Sequence, residues 1–265
     1  MESESTKVAI IIPTMNGLEQ LKVAVESLFN NTKYPNWRLI FVDAGSTDGT
    51  REYITELEKQ YNNGVYFYED DLLSPQLKIN HIFEDKKEGT TKAYNKGIHS
   101  TQEDEDVFLT QNDVVFPEFR KQDGSKADTC WLTEFVKMSK EPLCGLITTR
   151  NLIGTSGPTY YDECPIVGTF CMYIPRHTVN MIGILDEGFT PGQGDDIDYT
   201  YRVVRIGLLV MLAPFNMSHH RETFHEYDQE DIKTRNARYF RDKWWLDIVK
   251  DNILTIVKGE KVAKN

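Results

Sequence analysis

Residues Lys7-Val-Ala-Ile-Ile-Ile-Pro13 form a continuous apolar run closed by a proline, and no other stretch limits the fold so tightly. A strand that is apolar at every position, rather than at alternate ones, has protein on both faces. That is the situation of a central strand in a parallel sheet. Leu18, Leu21, Val25 and Leu28 follow at helical spacing, so a helix lies over the sheet. Leu39-Ile-Phe-Val42 is a second buried run. After it comes a helix carrying Tyr53, Ile54, Leu57 and Tyr61, with Ser46 or Thr47 as its expected N-cap. Val65-Tyr-Phe-Tyr68 reads as a third strand. Alternation of this kind implies right-handed crossovers and a parallel sheet.

The chain from Glu69 to Glu88 is polar and irregular and is expected to be a loop. Gly89-Thr-Thr-Lys-Ala-Tyr-Asn-Lys-Gly97 begins a helix running to Ser100. Glu103 to Asp106 reads as a solvated acidic turn. The apolar run Val107 to Leu109 then leads into polar residues ending in Asp113, followed by Val114, Val115, Phe116 and Pro117. This is a short buried strand that delivers a carboxylate at its C-terminal edge, where open α/β sheets place their ligands. Beyond it, a helix is expected at 131–138, a strand at 143–148, a Gly- and Pro-bearing loop at 151–165 and a strand at 170–174. A helix at 195–206 would carry Ile197, Tyr201 and Val204 on one face, before a strand at 208–213. The tail from Asp228 to about Val257 is amphipathic and helical, with the adjacent Trp244 and Trp245 on different sides. There is no internal repeat and no clear interdomain linker.

A chain of 265 residues makes one large domain or two small ones. Net charge is -11 with no basic block, which argues against a nucleic-acid groove. Cysteines 130, 144, 164 and 171 lack paired metal spacing and fit reduced thiols. The acidic, polar start Met1 to Ser5 is unlike a signal peptide, and no apolar run reaches the length of a membrane span. A cytoplasmic protein is therefore expected.

Four stretches, Ile-Ile-Pro-Thr-Met-Asn16, Val-Asp-Ala-Gly-Ser-Thr-Asp-Gly-Thr50, Gln-Asn-Asp113 and Gly-Asp-Asp-Ile-Asp198, together resemble the family 2 glycosyltransferases. The pattern Gly89…Lys92-Ala93…Asn95…Gly97 lies between them, and the likeness runs from about Lys7 to Trp244. It implies an α/β GT-A fold: a Rossmann-like, mostly parallel central sheet flanked by helices, here with a C-terminal helical tail. It also implies a nucleotide-sugar-binding half at about 7–117 and an acceptor-binding half at about 118–227, so that 1–227 is the transferase domain and 228–265 an extension. The implied activity is inverting transfer from a nucleotide-diphosphate sugar to a glycan or other hydroxyl acceptor.

Sugar transfer builds negative charge on a diphosphate leaving group, which a divalent cation, Mn2+ or Mg2+, can neutralise if it keeps open positions. By the resemblance, Asp113 is the main metal ligand, at the end of the family's DXD motif. Gln111 replaces that motif's first acid and can hydrogen-bond a ribose hydroxyl, with Asn112 between. Pro13, Thr14, Asn16 and Asp43 line the nucleoside pocket, and Lys92 and Asn95 join the donor side. Ala44 stands where the family often has a second Asp or Asn. Asp48 caps or stabilises its turn. His219 or His220 would complete the metal site, His219 coming first after the strand. Gly168 and Thr169 belong to the strand beside the acceptor cleft, where Cys171 is packing.

An inverting reaction needs one general base for the acceptor hydroxyl. Asp196 takes that role by likeness to the family's Glu-Asp motif, in which Asp195 replaces the Glu. Asp195 is also suited to a helix start, and Asp198 to a pair with Arg202 at i and i+4. Two other readings stay open: a non-catalytic protein that binds carbohydrate or nucleotide sugar, and a sugar nucleotidyltransferase. The latter would be expected to show a Gly-rich, cation-bearing loop after its first strand, whereas Pro13-Thr-Met-Asn-Gly17 has one Gly and no cation. The tail could also contact a membrane or a second copy.

Overall fold

The structure, a computed structural model, describes residues 6–62, 77–151, 167–219 and 229–257. In chain order its elements are β1 (Lys7–Thr14), α1 (Leu18–Asn31), β2 (Trp37–Ala44), α2 (Thr50–Asn62), β3 (Lys78–Glu84), α3 (Thr90–His99), β4 (Glu105–Thr110) and β5 (Val114–Val115). Then come α4 (Trp131–Met138), β6 (Cys144–Asn151), β7 (Cys171–Ile174), α5 (Arg176–Ile182), α6 (Asp195–Arg205), β8 (Leu209–His219) and α7 (Gln229–Val257), with a 3-10 turn at Glu187–Phe189.

The strands lie in the order β3-β2-β1-β4-β7-β6-β8-β5. The first four are parallel; β7 runs antiparallel to β4, β6 antiparallel to β7, β8 parallel to β6, and β5 antiparallel to the end of β8.

Alternation along the central strands sorts their side chains onto two cores. Val8, Ile10 and Ile12 of β1 join Leu39 and Phe41 of β2 and Phe108 of β4 on one face. There α1, α2 and α4 cover them with Leu21, Val25, Leu28, Ile54, Leu57, Trp131 and Phe135. Ala9 and Ile11 join Ile40, Val42, Val107 and Leu109 on the other face, beneath Ala93, Tyr94, Ile98, Val179, Tyr199 and Val203 of α3, α5 and α6. The sheet is thus the middle layer of three, and the all-apolar runs follow from that.

Several expectations need correcting. Lys78–Glu84, expected within a loop, is the edge strand β3, paired with β2 from Arg38↔Lys78 to Ala44↔Glu84. Only Ile79 of β3 is fully buried, so its apolar signal is weak, as on an edge. The strand expected at 65–68 and most of the loop expected at 151–165 lie outside the described residues. Glu105 and Asp106 are not a solvated turn. They open β4 at 4% and 7% exposure, and burial is tolerated because each carboxylate is matched. Arg38 grips Glu105 with Nε at 2.6 Å and Nη2 at 2.8 Å, and Asp106 accepts from Tyr173 Oη at 2.6 Å and Arg176 N at 2.7 Å.

The buried stripe of α6 is Asp195, Asp198, Tyr199, Thr200 and Val203, whereas Ile197 and Val204 are exposed. Two carboxylates face inward, and counting apolar residues alone placed the wrong face inside. At the start of α2 the capping residue is Asp48, which accepts from Thr50 N at 3.2 Å and Thr50 Oγ1 at 2.7 Å. Ser46 and Thr47 instead bond to the turn after β1. Trp244 packs edge-on to Tyr201 of α6 while Trp245 is 55% exposed, so the two do face different ways. No helix among the described residues is long and apolar enough to cross a membrane.

Gly97 marks where α3 touches β1. A Cβ there would sit 2.4 Å from Ile11 Cγ2, within the buried run Val8 to Ile12 of β1. Gly97→Ala gains ~1 kcal/mol of helix propensity, but overpacking a tight core costs ~1–3 kcal/mol. We expect a net loss of up to about 2 kcal/mol in urea unfolding; a midpoint above that of wild type would show that α3 can withdraw from β1.

Candidate functional site

Parallel register brings three chain reversals to one edge of the sheet. Thr14 pairs with Asp43 across β1 and β2, and Ile11 with Leu109 across β1 and β4, so the residues after each strand emerge side by side. Because β7 is antiparallel, Cys171 pairs with Thr110 and the segment before it, Gly168 and Thr169, reaches the same edge.

Asp43 organises the first part of this edge. It is fully buried, and its oxygens accept five hydrogen bonds. Thr14 Oγ1 donates at 3.0 Å, Gly45 N at 3.1 Å, Ser46 N at 3.0 Å and Arg51 Nε at 2.6 Å; Ser46 Oγ is the fifth donor. Arg51 also donates to Glu84 O and lies 5.0 Å above the Phe83 ring. Asn16, with φ 59°, completes the turn: its N donates to Ser46 Oγ at 2.7 Å and its Oδ1 accepts from Thr47 N at 2.9 Å. Asp48 ties in the start of α1 through Leu18 N at 3.0 Å. Burial tends to raise its pKa, but the bonds from Thr50 and Leu18 prevail and hold it below the ordinary value. Pro13 is half-buried beside these groups. Ala44 lines a small crevice with Glu84, Glu88, Gly89, Ala93 and Lys96.

Gln111, Asn112 and Asp113 follow β4. Asn112 Nδ2 donates to Asn16 O at 3.3 Å, and Gln111 Nε2 lies 3.5 Å from Thr169 Oγ1. The short pairing of β5 with β8, Val114↔His219, sets Asp113 next to His219. His219 Nε2 is 3.2 Å from Asp113 Oδ1, and the imidazole stacks on Phe170 at 5.2 Å and 5°. Among the described residues His219 Nε2 is the one polar partner of the buried Asp113 Oδ1. A buried carboxylate oxygen beside an imidazole offers ligand types that a divalent cation can take. Among the described residues no group of three or more His, Cys, Asp and Glu is gathered for a metal, and His220 lies outside them.

The other side of the site is the start of α6. Gly194, with φ 95°, turns the chain into the helix, and Asp195, Asp196 and Asp198 occupy its first turn. Asp195 is buried and accepts from Thr91 Oγ1 at 3.0 Å; burial raises its pKa despite that bond. Asp196 is half-buried, with Oδ1 accepting from its neighbour Ile197 N at 2.8 Å. Desolvation first, then repulsion from Asp195, pushes its carboxyl up to about 7. Asp198 is fully buried and paired: Arg202 Nε at 2.9 Å, Lys243 Nζ at 2.7 Å and Trp244 Nε1 at 2.8 Å all donate to it.

Helix α3 joins the two sides, and nothing in its sequence announced this. Thr91 holds Asp195, while one turn on Tyr94 Oη donates to Thr110 O at 2.9 Å and Thr169 O at 3.2 Å. Burial holds the Tyr94 phenol well above its usual range, and the charges of Asp195 and Asp113 add to the effect. Tyr94 read as a core position, which its burial also makes it. Lys92 is at the same end, 3.2 Å from Glu88 Oε1. Asn95 is spent inside the fold: its Nδ2 donates to Leu185 O and Glu187 Oε1, and its Oδ1 accepts from Leu185 N.

Residues 9–121 match the family model described as Glycosyl transferase family 2. A glucuronosyltransferase of Methanococcus voltae, named as acting on dolichyl N-acetylglucosaminyl phosphate, is 25% identical over 224 residues, covering 78% of this chain and 64% of that protein. The chain spans between 26% and 64% of the length of the curated relatives it matches. Among solved structures, the mannosyltransferase PcManGT of Pyrobaculum calidifontis, in complex with GDP-Man and Mn2+, superposes with a TM-score of 0.62 at 17% identity, over 91% of this chain and 64% of that one. GalNAc-T7 with UDP, GalNAc and Mn2+ gives 0.58 at 12% identity, over 82% and 44%. With its sheet, its ordered edge motifs and these relatives in agreement, the chain has the GT-A fold, and its segment 9–121 is similar to glycosyl transferase family 2.

Proposed function

We propose that the protein transfers a sugar from a nucleotide-diphosphate sugar to an acceptor hydroxyl, with inversion at the anomeric carbon. One observation carries this reading: a single helix, α3, holds Asp195 through Thr91 and braces the Gln111–Asp113 side through Tyr94. The two carboxylate-bearing segments are thereby tied to one rigid element. The chain's place among nucleotide-sugar-binding relatives supports the donor class.

On the donor side, Asp43 shapes the nucleoside pocket through the turn it holds, with Pro13, Thr14 and Asn16 around it. Gln111 offers its amide to a ribose hydroxyl, and Asn112 keeps that loop against Asn16. Lys92, now on Glu88, is placed to exchange that carboxylate for phosphate oxygens. Asp113 and His219 fit a divalent cation, Mn2+ or Mg2+, which when bound supplies positive charge to the diphosphate leaving group. The acceptor side is Asp196 with Gly168, Thr169 and Asp195 around it. Asp196 takes the proton of the attacking hydroxyl, and a carboxylate whose pKa lies near neutrality is a stronger base than an ordinary one. Asp195 keeps that pKa high and stays anchored on Thr91.

The metal reading is tested by thermal shift with UDP-, GDP-, dTDP- and CMP-sugars, with and without Mn2+. A ligand that binds only the folded state raises the melting temperature as the logarithm of its concentration over Kd. One class of nucleotide should stabilise the protein more with Mn2+, and Asp113→Asn should abolish the metal's increment. An increment that survives in the variant refutes Asp113 as ligand.

Asp196→Asn keeps the shape of the side chain but removes the proton acceptor. Turnover should fall by roughly 10²–10⁴-fold, with donor affinity barely changed. Wild-type kcat should rise with pH through about 7, as Asp196 loses its proton. Stability should move the other way. The folded pKa exceeds the ordinary 3.8, so the contribution of Asp196 is full below about 4 and lost as pH rises through about 7. Asp196→Asn should therefore melt above wild type at pH 8 relative to its position at pH 4. A variant that turns over normally, having gained nothing at pH 8, overturns the assignment; binding without turnover in the wild type would instead mark a non-catalytic sugar-nucleotide protein.

A further inference from the structure

We infer that α7 is a positioning element of the site, and that Asn236 is its principal positioning residue, holding the backbone from Phe189 to Gln193 in the turn that presents Asp196. The inference rests on the reading of Asp196 as the base.

Asn236 is 3% exposed, although it lies on a helix with many solvated side chains. Its Nδ2 donates to three backbone carbonyls of one loop: Phe189 at 3.0 Å, Gly192 at 2.7 Å and Gln193 at 2.6 Å. An amide has two N–H groups, so one of them is shared, and every direction it can donate in is used on this loop. The amide is itself oriented, because Oδ1 accepts from Arg235 Nε at 3.0 Å and Nη2 at 2.7 Å. Arg235 Nη2 also donates to Thr190 O. Two successive residues of α7 thus serve four carbonyls between 189 and 193.

The loop needs such support. Gln193 has φ 73°, in the left-handed region that side chains disfavour, and it stands between Gly192 at 152° and Gly194 at 95°. A run of this kind persists only where its surroundings over-determine it. From the other side α3 contributes Thr90 N to Pro191 O at 2.7 Å and Thr91 Oγ1 to Asp195. Further contacts fix the angle of α7. The Tyr239 ring closes over Gly188, where a Cβ would lie 2.4 Å from the ring, and its Oη donates to Asp186 at 3.0 Å. Lys243 bridges Asp186 at 2.6 Å and Asp198 at 2.7 Å. The loop is therefore held between α3, which also braces the donor side, and α7, which reaches it from more than 40 residues downstream.

The test uses the full chain with Asn236→Ala and Asn236→Asp. The aspartate keeps the volume and the Arg235 contact but loses both donors, so it serves if the alanine variant fails to fold. With the nucleotide sugar that most stabilises wild type in the presence of Mn2+, we expect kcat to fall between about 10- and 100-fold, the scale of a small misplacement of a reacting group. Donor KM should stay within about twofold. The Asp196 carboxyl, followed by 13C NMR of aspartate-labelled protein and assigned by its absence in Asp196→Asn, should titrate at least about half a unit lower in Asn236→Ala, because a loosened turn admits water. Variants that lose thermal stability yet keep kcat and the Asp196 midpoint overturn the inference. The two readings fail differently: turnover indifferent to Asp196→Asn refutes the base, whereas an Asp196-dependent enzyme indifferent to both Asn236 variants refutes positioning alone.

Discussion

Three parallel strands, β2, β1 and β4, are buried on both faces, and their register is the constraint on which the rest depends. A slip of one residue would exchange the Ile10 and Ile11 faces and move every side chain to the wrong core. Since that is costly throughout, the strand ends are fixed with respect to one another. The turns after Thr14, Asp43 and Thr110 then emerge together as a consequence of packing. The site inherits its precision from the core rather than from its own loops, whose polar groups mostly bond one another.

This division explains what was legible beforehand. Both all-apolar runs, the helices at α1, α3 and α4 and the placing of Asp113 at a strand's edge could be read from periodicity, because in those stretches burial and apolarity coincide. The misreadings fall where they part company. β3 is an edge strand with one fully buried side chain; Glu105 and Asp106 are buried but charged; α6 turns two carboxylates inward and leaves Ile197 and Val204 outside. In the two charged cases a long-range partner (Arg38, Tyr173, Lys243 or Trp244) makes burial tolerable, and no local pattern encodes a partner 46 or 67 residues away. Of the candidate site, Asp113, Asp195 and Asp196 were visible as motif positions, whereas the side chains around them, Thr91, Tyr94 and Asn236, resembled ordinary helix residues.

Charge within α6 is arranged by degree of compensation. Asp198 has three donors and is the structural member. Asp195 has one side-chain donor, from a hydroxyl, and remains hard to ionise. Among the described residues Asp196 accepts only from its own helix start, and it absorbs the repulsion of its neighbour. Three identical residues in four positions thus differ because their surroundings do.

The contact between Trp244 and Asp198 spans 46 residues, and it orders events in time as well as in space. Chains emerge from synthesis N-terminus first, at ~5–20 residues per second. For about 2–9 s after Asp198 is made, then, the carboxylate at the heart of α6 exists without Lys243 or Trp244. Until they arrive, keeping that helix in place would mean burying a half-compensated charge, so the sheet from β1 to β4 can be complete while α6 has still to settle against it.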